Sequence, residues 1–227
     1  MELSQILDPV YLGKLFDLLF PAIGETLYMV VASTLLAYIL GLPLGIFLVV
    51  SAPEHIMPNP WVEKTLGTVI NILRSAPFII LMVALIPVTR AMVGTSIGTT
   101  AAIFPLVIST APFVARIIET SLKEVPHGVI EAAMSMGASP WQIITKVLLP
   151  EAKPSLVLGI AITTISVIGY TAMAGTVGGG GLGDLAIQYG YNRFRTDIML
   201  ITIVVLVIIV QGVQSLGTSM AQKVSRS

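Results

Sequence analysis

TLYMVVASTLLAYILGLPLGIFLVVSAP, residues 26–53, runs without a single Asp, Glu, Lys, Arg or His. A helix crosses the hydrocarbon layer in about 20 residues, so this stretch is long enough to span a bilayer. Working outward, Ala91–Ala115, Pro154–Gly183 and Ile198–Gln222 are equally free of Asp, Glu, Lys and Arg, and Thr65–Thr89 is interrupted only by Arg74. These runs predict five spanning helices near residues 27–49, 69–88, 100–118, 155–175 and 198–216. The whole chain agrees: of its 227 residues 55% are hydrophobic and only 11% charged, with a mean hydropathy of +0.94. Soluble domains carry about 25% charged residues, and a compact soluble fold could not cover its surface with so few. The fold class is therefore an all-α integral membrane protein, a single domain over residues 1–227 in contact with the lipid bilayer.

The same composition excludes other classes. Net charge is zero, which leaves no broad basic surface for nucleic acid. The chain has no cysteine, and His55 and His127 are its only histidines, so thiolate chemistry and a histidine metal cluster are not expected. The first residues, MELSQILDPV, are acidic rather than basic, and a cleaved leader is not indicated. Pro43, Pro77, Pro105 and Pro112 fall inside predicted spans, where a bundle tolerates them because neighbours satisfy the freed carbonyls. Arg74 is expected about one turn inside the start of the second span, its stem reaching to the headgroups.

Lysine and arginine set the orientation. Lys64, Arg74, Arg116, Lys123, Lys146, Lys153, Lys223 and Arg226 fall on one side of a five-span chain, and Lys14, Arg90, Arg193 and Arg195 on the other. The positive-inside rule places the N-terminus outside and the C-terminus in the cytoplasm.

On the cytoplasmic side lies an unusually long connection, residues 119–153. Pro126 bars helix continuation. Ile130, Ala133, Met134 and Gly137 then recur at three- and four-residue steps, as one helical face does. Glu131 is expected in the first turn of that helix, where a carboxylate meets unpaired N–H groups, and Gly137 at its end. A second helix starts at Ser139 as N-cap with Pro140 in the first position and Gln142 completing an S-x-x-Q capping box. Ile143, Ile144, Val147 and Leu148 form its apolar face, and Pro150 is expected to stop it. Physics alone leaves two readings open: an amphipathic pair lying on the membrane surface, or a pair seated in a partner's groove, which the small residues Ala132, Ala133 and Gly137 would permit.

The letters themselves are more specific. Glu131-Ala132-Ala133, three residues, Gly137, nine residues, Val147, one residue and Leu149-Pro150 resembles the EAA signature of ABC-importer permeases, in which isoleucine is usual at the Val147 position. NILRSAPF (71–78), APFVAR (111–116), GYTAM (169–173) and VGGGGLG (177–183) are similar to the bacterial methionine-importer permeases. That resemblance implies the five-helix type I ABC importer permease fold, two copies forming the pore, and two cytoplasmic ABC ATPase subunits bound at the EAA segments. It also implies an extracytoplasmic substrate-binding protein, a lipoprotein or a soluble receptor, that delivers methionine in its L and also its D form. The chain itself would bind no cofactor and no metal and catalyse nothing, ATP and Mg being held by the ATPase, in the inner membrane of a bacterium. Carried over residue by residue, Glu131, Ala132, Ala133, Gly137, Val147, Leu149 and Pro150 would belong to the coupling element. Met173 would lie near the pore gate, unless it simply packs.

The chain lacks a G-x-x-x-x-G-K-[ST] phosphate loop, so ATP hydrolysis is not its own. Gly178, Gly180 and Gly183 do fit G-x-G-x-x-G, but no strand–helix unit surrounds them. The run Gly178, Gly179, Gly180, Gly181 and Gly183 is expected as a flexible outer turn facing the receptor, or as a plain helix terminus. Three other readings stay open. ABC permeases for another amino acid, a phosphonate or an osmoprotectant would share the architecture. An ion-coupled secondary transporter would need ionisable groups deep in its helices, and an integral-membrane enzyme convergent polar side chains there; the span centres offer neither.

Overall fold

The computed structural model describes residues 9–225, with side chains from Gly13 onward. The expectation about a leader and Arg226 of the charge tally lie outside the described residues. All described elements are helical: α1 (Pro9–Val50), α2 (Pro60–Ser75), α3 (Phe78–Ala84), α4 (Ile86–Val93), α5 (Thr99–Lys123), α6 (His127–Ser135), α7 (Pro140–Ile143), a π turn (Ile144–Leu148), α8 (Leu149–Glu151), α9 (Lys153–Ala174), a 3-10 turn (Gly175–Val177), α10 (Gly181–Leu185), a second π turn (Ala186–Tyr191) and α11 (Thr196–Ser225). Four of these are long and apolar enough to cross a membrane, and a fifth span results if the bent pair α2 and α3 counts as one.

Three spans lie where the charge-free runs put them. The first and second differ. Helix α1 begins at Pro9, well before residue 27, because Lys14, Asp17 and Glu25 limit burial in lipid without limiting helicity. The second is not one helix. Pro77 pushes Ala76 into an extended conformation (φ −74°, ψ 126°), as the ring of a following proline does, and the helix breaks there. Arg74 consequently sits in the last turn of α2, just before the break. Pro105 and Pro112 leave α5 unbroken; both are buried, so packed neighbours enforce the helical path.

The described residues form two compact units, one built from the chain up to Ser33 with Phe78–Leu106 and Ser166–Gly212, the other from Thr34–Pro77, Val107–Ile165 and the chain from Val213. In the first, Leu15, Leu19 and Ala22 of α1 pack with Leu182, Leu185 and Ile198. In the second, Val49 and Val50 of α1 and Val114, Ile118 and Leu122 of α5 share one core with Ile130, Ile143, Ile144 and Leu148. The segment 119–153 is therefore anchored by its own apolar side chains to the ends of α1 and α5.

Candidate coupling site

The two short helices after α5 form largely as their sequence dictates. Ser139 accepts from the Gln142 N–H at 3.4 Å while the Gln142 side chain accepts from the Ser139 N–H at 2.8 Å, with Pro140 in the first position. Gly137, between the helices, has φ +77°, the left-handed region that costs a side-chain-bearing residue roughly 1–2 kcal/mol. Two local expectations fail. Helix α6 starts at His127, directly after Pro126, so Glu131 lies in its second turn rather than its first. Its carboxylate takes a bond from His127 Nδ1 at 3.1 Å instead of meeting helix-end N–H groups. Nor does Pro150 stop the second helix. The Leu149 N–H reaches back to the Ile144 carbonyl, and this wider π turn accommodates the proline, which has no N–H of its own; the helical path continues to Glu151.

The residues of the EAA pattern divide by exposure. Glu131, Ala132, Gly137 and Pro150 are exposed, whereas Ala133, Val147 and Leu149 pack against the core. Beside the exposed set stand Met134, Met136 and Trp141, the last two 87% and 72% exposed. One side of the pair is thus fixed to the unit's core and the other presents uncovered apolar surface around a glycine bend.

His127 closes the element against the loop after α1. Its Nε2 donates to the Glu54 carbonyl at 3.0 Å and its Nδ1 to the Glu131 carboxylate. Both bonds need a doubly protonated ring. The Glu54 carbonyl, and next the Glu131 carboxylate, accordingly raise the pKa of His127 above its ordinary value. His55 moves the other way, pushed down by burial and then by the charges of His127 and Lys123. His127 was not singled out from sequence, although its four-residue spacing to Glu131 is that of a helix-surface pair.

The quoted stretches make specific contacts within each unit. In the second unit, Arg116 ends APFVAR and donates through Nη2 to the Asn71 side chain (2.8 Å) and the Gly67 carbonyl (3.1 Å) of α2, and through Nη1 to Glu119. Asn71 opens NILRSAPF. Arg74 of the same stretch lies over the ring of Phe113 at 6.0 Å. In the first unit, Phe78 stacks on Tyr170 of GYTAM at 4.7 Å. The glycine run is packed and hydrogen-bonded. Gly180 and Gly181 take φ of +78° and +77°, which delivers the Gly181 N–H to the Glu25 carboxylate (2.6 Å) and the Leu182 N–H to Thr26 Oγ1 (2.8 Å). Gly183 is buried, and a Cβ there would overlap the Ala172 backbone. Met173 is 47% exposed, so in the single chain it is not core packing.

Residues 41–224, more than half of the chain, match the sequence profile described as "Binding-protein-dependent transport system inner membrane component". The chain belongs to that family. This permease is 53% identical over 208 residues, 92% of each chain, to the probable D-methionine transport system permease protein MetI of Vibrio cholerae. It is 50% identical over 158 residues, 70% of this chain and 73% of the relative, to the D-methionine transport system permease protein MetI of Escherichia coli K12. A chain of the MetNI methionine ABC transporter in an inward-facing conformation superposes with a TM-score of 0.91 at 47% identity, covering 92% of the permease and 97% of that chain. A chain of an amino acid ABC transporter with histidines reaches a TM-score of 0.78 at 18% identity, over 96% and 99% of the two chains, a likeness of fold alone. The expected all-α architecture of a type I ABC importer permease is thereby established. The permease is a multi-pass inner-membrane transport component rather than an enzyme.

Proposed function

We propose that the permease is the membrane-spanning subunit of an ATP-driven importer of methionine, working as a pair of identical copies with two cytoplasmic ABC ATPase subunits. Its relatives support the substrate class, being described as probable D-methionine transport system permease proteins at about half identity over most of the chain. In this reading the N-terminus is outside, the C-terminus and residues 119–153 are cytoplasmic, and ATP with Mg is bound by the partner. An extracytoplasmic receptor, lipoprotein or soluble, would hand over the substrate. It would meet the permease at Gly178 and Gly180, which are only half-buried, while the buried Gly179, Gly181 and Gly183 act by packing. Met173 would border the gate.

The observation that carries the mechanism is the half-anchored helix pair. Ile130, Ile143, Ile144 and Leu148 tie it to the ends of α1 and α5, while Glu131, Ala132, Met136, Gly137 and Trp141 face outward. An ATPase gripping the outer face moves the inner face, and rigid packing transmits that motion to the spans. The permease then opens outward when the ATPases close on ATP and inward after hydrolysis.

The test compares Gly137→Asn with Gly137→Asp in the assembled complex. Both side chains tolerate the left-handed backbone, and the space around Gly137 is open, so neither blocks folding. Asn is neutral, whereas Asp places an unpaired charge in the docking surface. ATP-dependent uptake of labelled L- and D-methionine should survive in the Asn variant and fail in the Asp variant, together with capture of the ATPase. Normal transport and ATPase capture by Gly137→Asp would overturn the assigned role.

A further inference from the structure

In the second unit, helix α2 is fixed on one face and bare on the other. Ile70 packs with Leu48 of α1 and Ala115 of α5, and Arg116 holds the Gly67 carbonyl and the Asn71 side chain. On the remaining face Trp61, Val69 and Ile72 are exposed, Trp61 to 85%. The Asn59 N–H donates to the Ser51 carbonyl at 2.9 Å, which brings the start of α2 beside the end of α1. An open groove of about 660 Å³ lies between the two helices. Leu44 and Phe47 of α1 wall it on one side and Trp61, Val62 and Val69 on the other, with Thr65 its one hydroxyl. A second depression shares Trp61, Thr65 and Val69 with the groove and adds Lys64 and Thr68. Lys64 stands one helical turn from both Trp61 and Thr68 on the same face. It is exposed and makes no ion pair among the described residues. No carboxylate lines either surface, Glu63 included.

We propose that this surface binds one anionic phospholipid, an acyl chain lying in the groove along Leu44, Phe47, Val62 and Val69 and the phosphate meeting Lys64. The two halves of the surface match the two halves of that ligand. A soluble anion would pair with Lys64 and leave the groove bare; a plain hydrocarbon would fill the groove and leave Lys64 unpaired. In phosphatidylcholine the choline already neutralises the phosphate, so an unpaired lysine favours a lipid of net negative charge. Trp61 joins the halves, its ring against the chain and its indole N–H free for the ester or phosphate oxygens, as tryptophan serves at membrane interfaces. The inference needs the membrane setting of the permease and not the identity of the transported solute.

The assembled complex is placed in phosphatidylcholine nanodiscs with a trace of phosphatidylglycerol, or of phosphatidylcholine, carrying a diazirine in one acyl chain. After irradiation the labelled peptides are mapped. Phosphatidylglycerol should label 44–47 and 61–69 about fivefold more than phosphatidylcholine does, the worth of one lysine facing an anionic lipid. Lys64→Gln should bring the two lipids level, and Lys64→Arg should keep the preference. Lys223→Gln, at an exposed lysine outside the groove, should leave it unchanged. Equal labelling by the two lipids in the parent, a preference that survives Lys64→Gln, or one lost equally in Lys223→Gln would overturn the site. A second copy of the chain is the competing occupant. The chain has no cysteine, so Trp61→Cys introduces a single thiol, and the oxidised permease should run as a monomer on a denaturing gel. A disulfide joining two copies at position 61 would show that a copy covers the groove, and would sink the lipid.

Discussion

Helix α1 meets α5 through Gly41 and Gly45. A methyl group at Gly45 would stand 2.6 Å from the Ala115 carbonyl oxygen and 2.6 Å from Ile118 Cβ; at Gly41 it would stand 2.7 Å from the Ala111 carbonyl oxygen and Val114 Cβ. Ordinary contact is about 3.5–4.0 Å, so α1 and α5 must separate by about 1 Å to admit it. No rotamer relieves the clash, because the obstacles are backbone and Cβ atoms, and Val114, Ala115 and Ile118 are buried. Overpacking of this kind costs about 1–3 kcal/mol, against a gain of about 1 kcal/mol from replacing helical Gly by Ala. Gly24 of the same helix has nothing within 4 Å, so Gly24→Ala keeps the gain without the clash. Gly45→Ala should therefore be less stable than Gly24→Ala by about 2 kcal/mol, with Gly45→Leu failing to fold. Thermal and denaturant unfolding of the detergent-purified permease reads this difference. Equal stability of the two alanine variants would refute the close approach of α1 and α5 at Gly45.

Three further outcomes follow from named contacts. Thr26→Val keeps the shape of the side chain but strands the buried Leu182 N–H, which should cost about 1–3 kcal/mol in the same unfolding assay. Ser139→Ala removes one half of the capping box; a loss of about 1 kcal/mol should appear as faster hydrogen exchange over 140–148, with exchange in α9 unchanged. His127 has a raised pKa in the folded chain, so its stabilisation of α6 is fully present below the ordinary histidine value of about 6.5 and is lost as pH rises through the raised one. Protection of 127–135, corrected for intrinsic exchange, should fall across that alkaline rise in the parent chain and stay level in His127→Gln.

Much of the fold was legible in the residue order. Spans three, four and five follow from unbroken apolar length, and the capping box and the left-handed Gly137 from local backbone chemistry. Three further features carry a local signal. Gly41 and Gly45 are four residues apart in an apolar run, a helix-packing signature. Pro77 disfavours the helical conformation at Ala76, where α2 ends, so a proline tolerated by length and charge still breaks this span. The His127–Glu131 spacing marks a surface pair on α6. Other features had no local signal. Asn71 and Arg116 are 45 residues apart, and nothing near either predicts that they bond.

Sequence by itself determined that this chain lives in a membrane, where three of its long spans run, and where a pair of short helices with a bend at Gly137 forms. These depend on hydration of side chains and on backbone sterics, which act over a few residues. Tertiary structure alone decided that Glu25 and Thr26 bond the glycine run, that Pro105 and Pro112 stay helical, and that Arg116 is paired with Glu119 while Arg74 rests on Phe113. Each of those outcomes is set by which atoms of distant segments come within van der Waals or hydrogen-bond reach, a condition that exists only once the helices have packed.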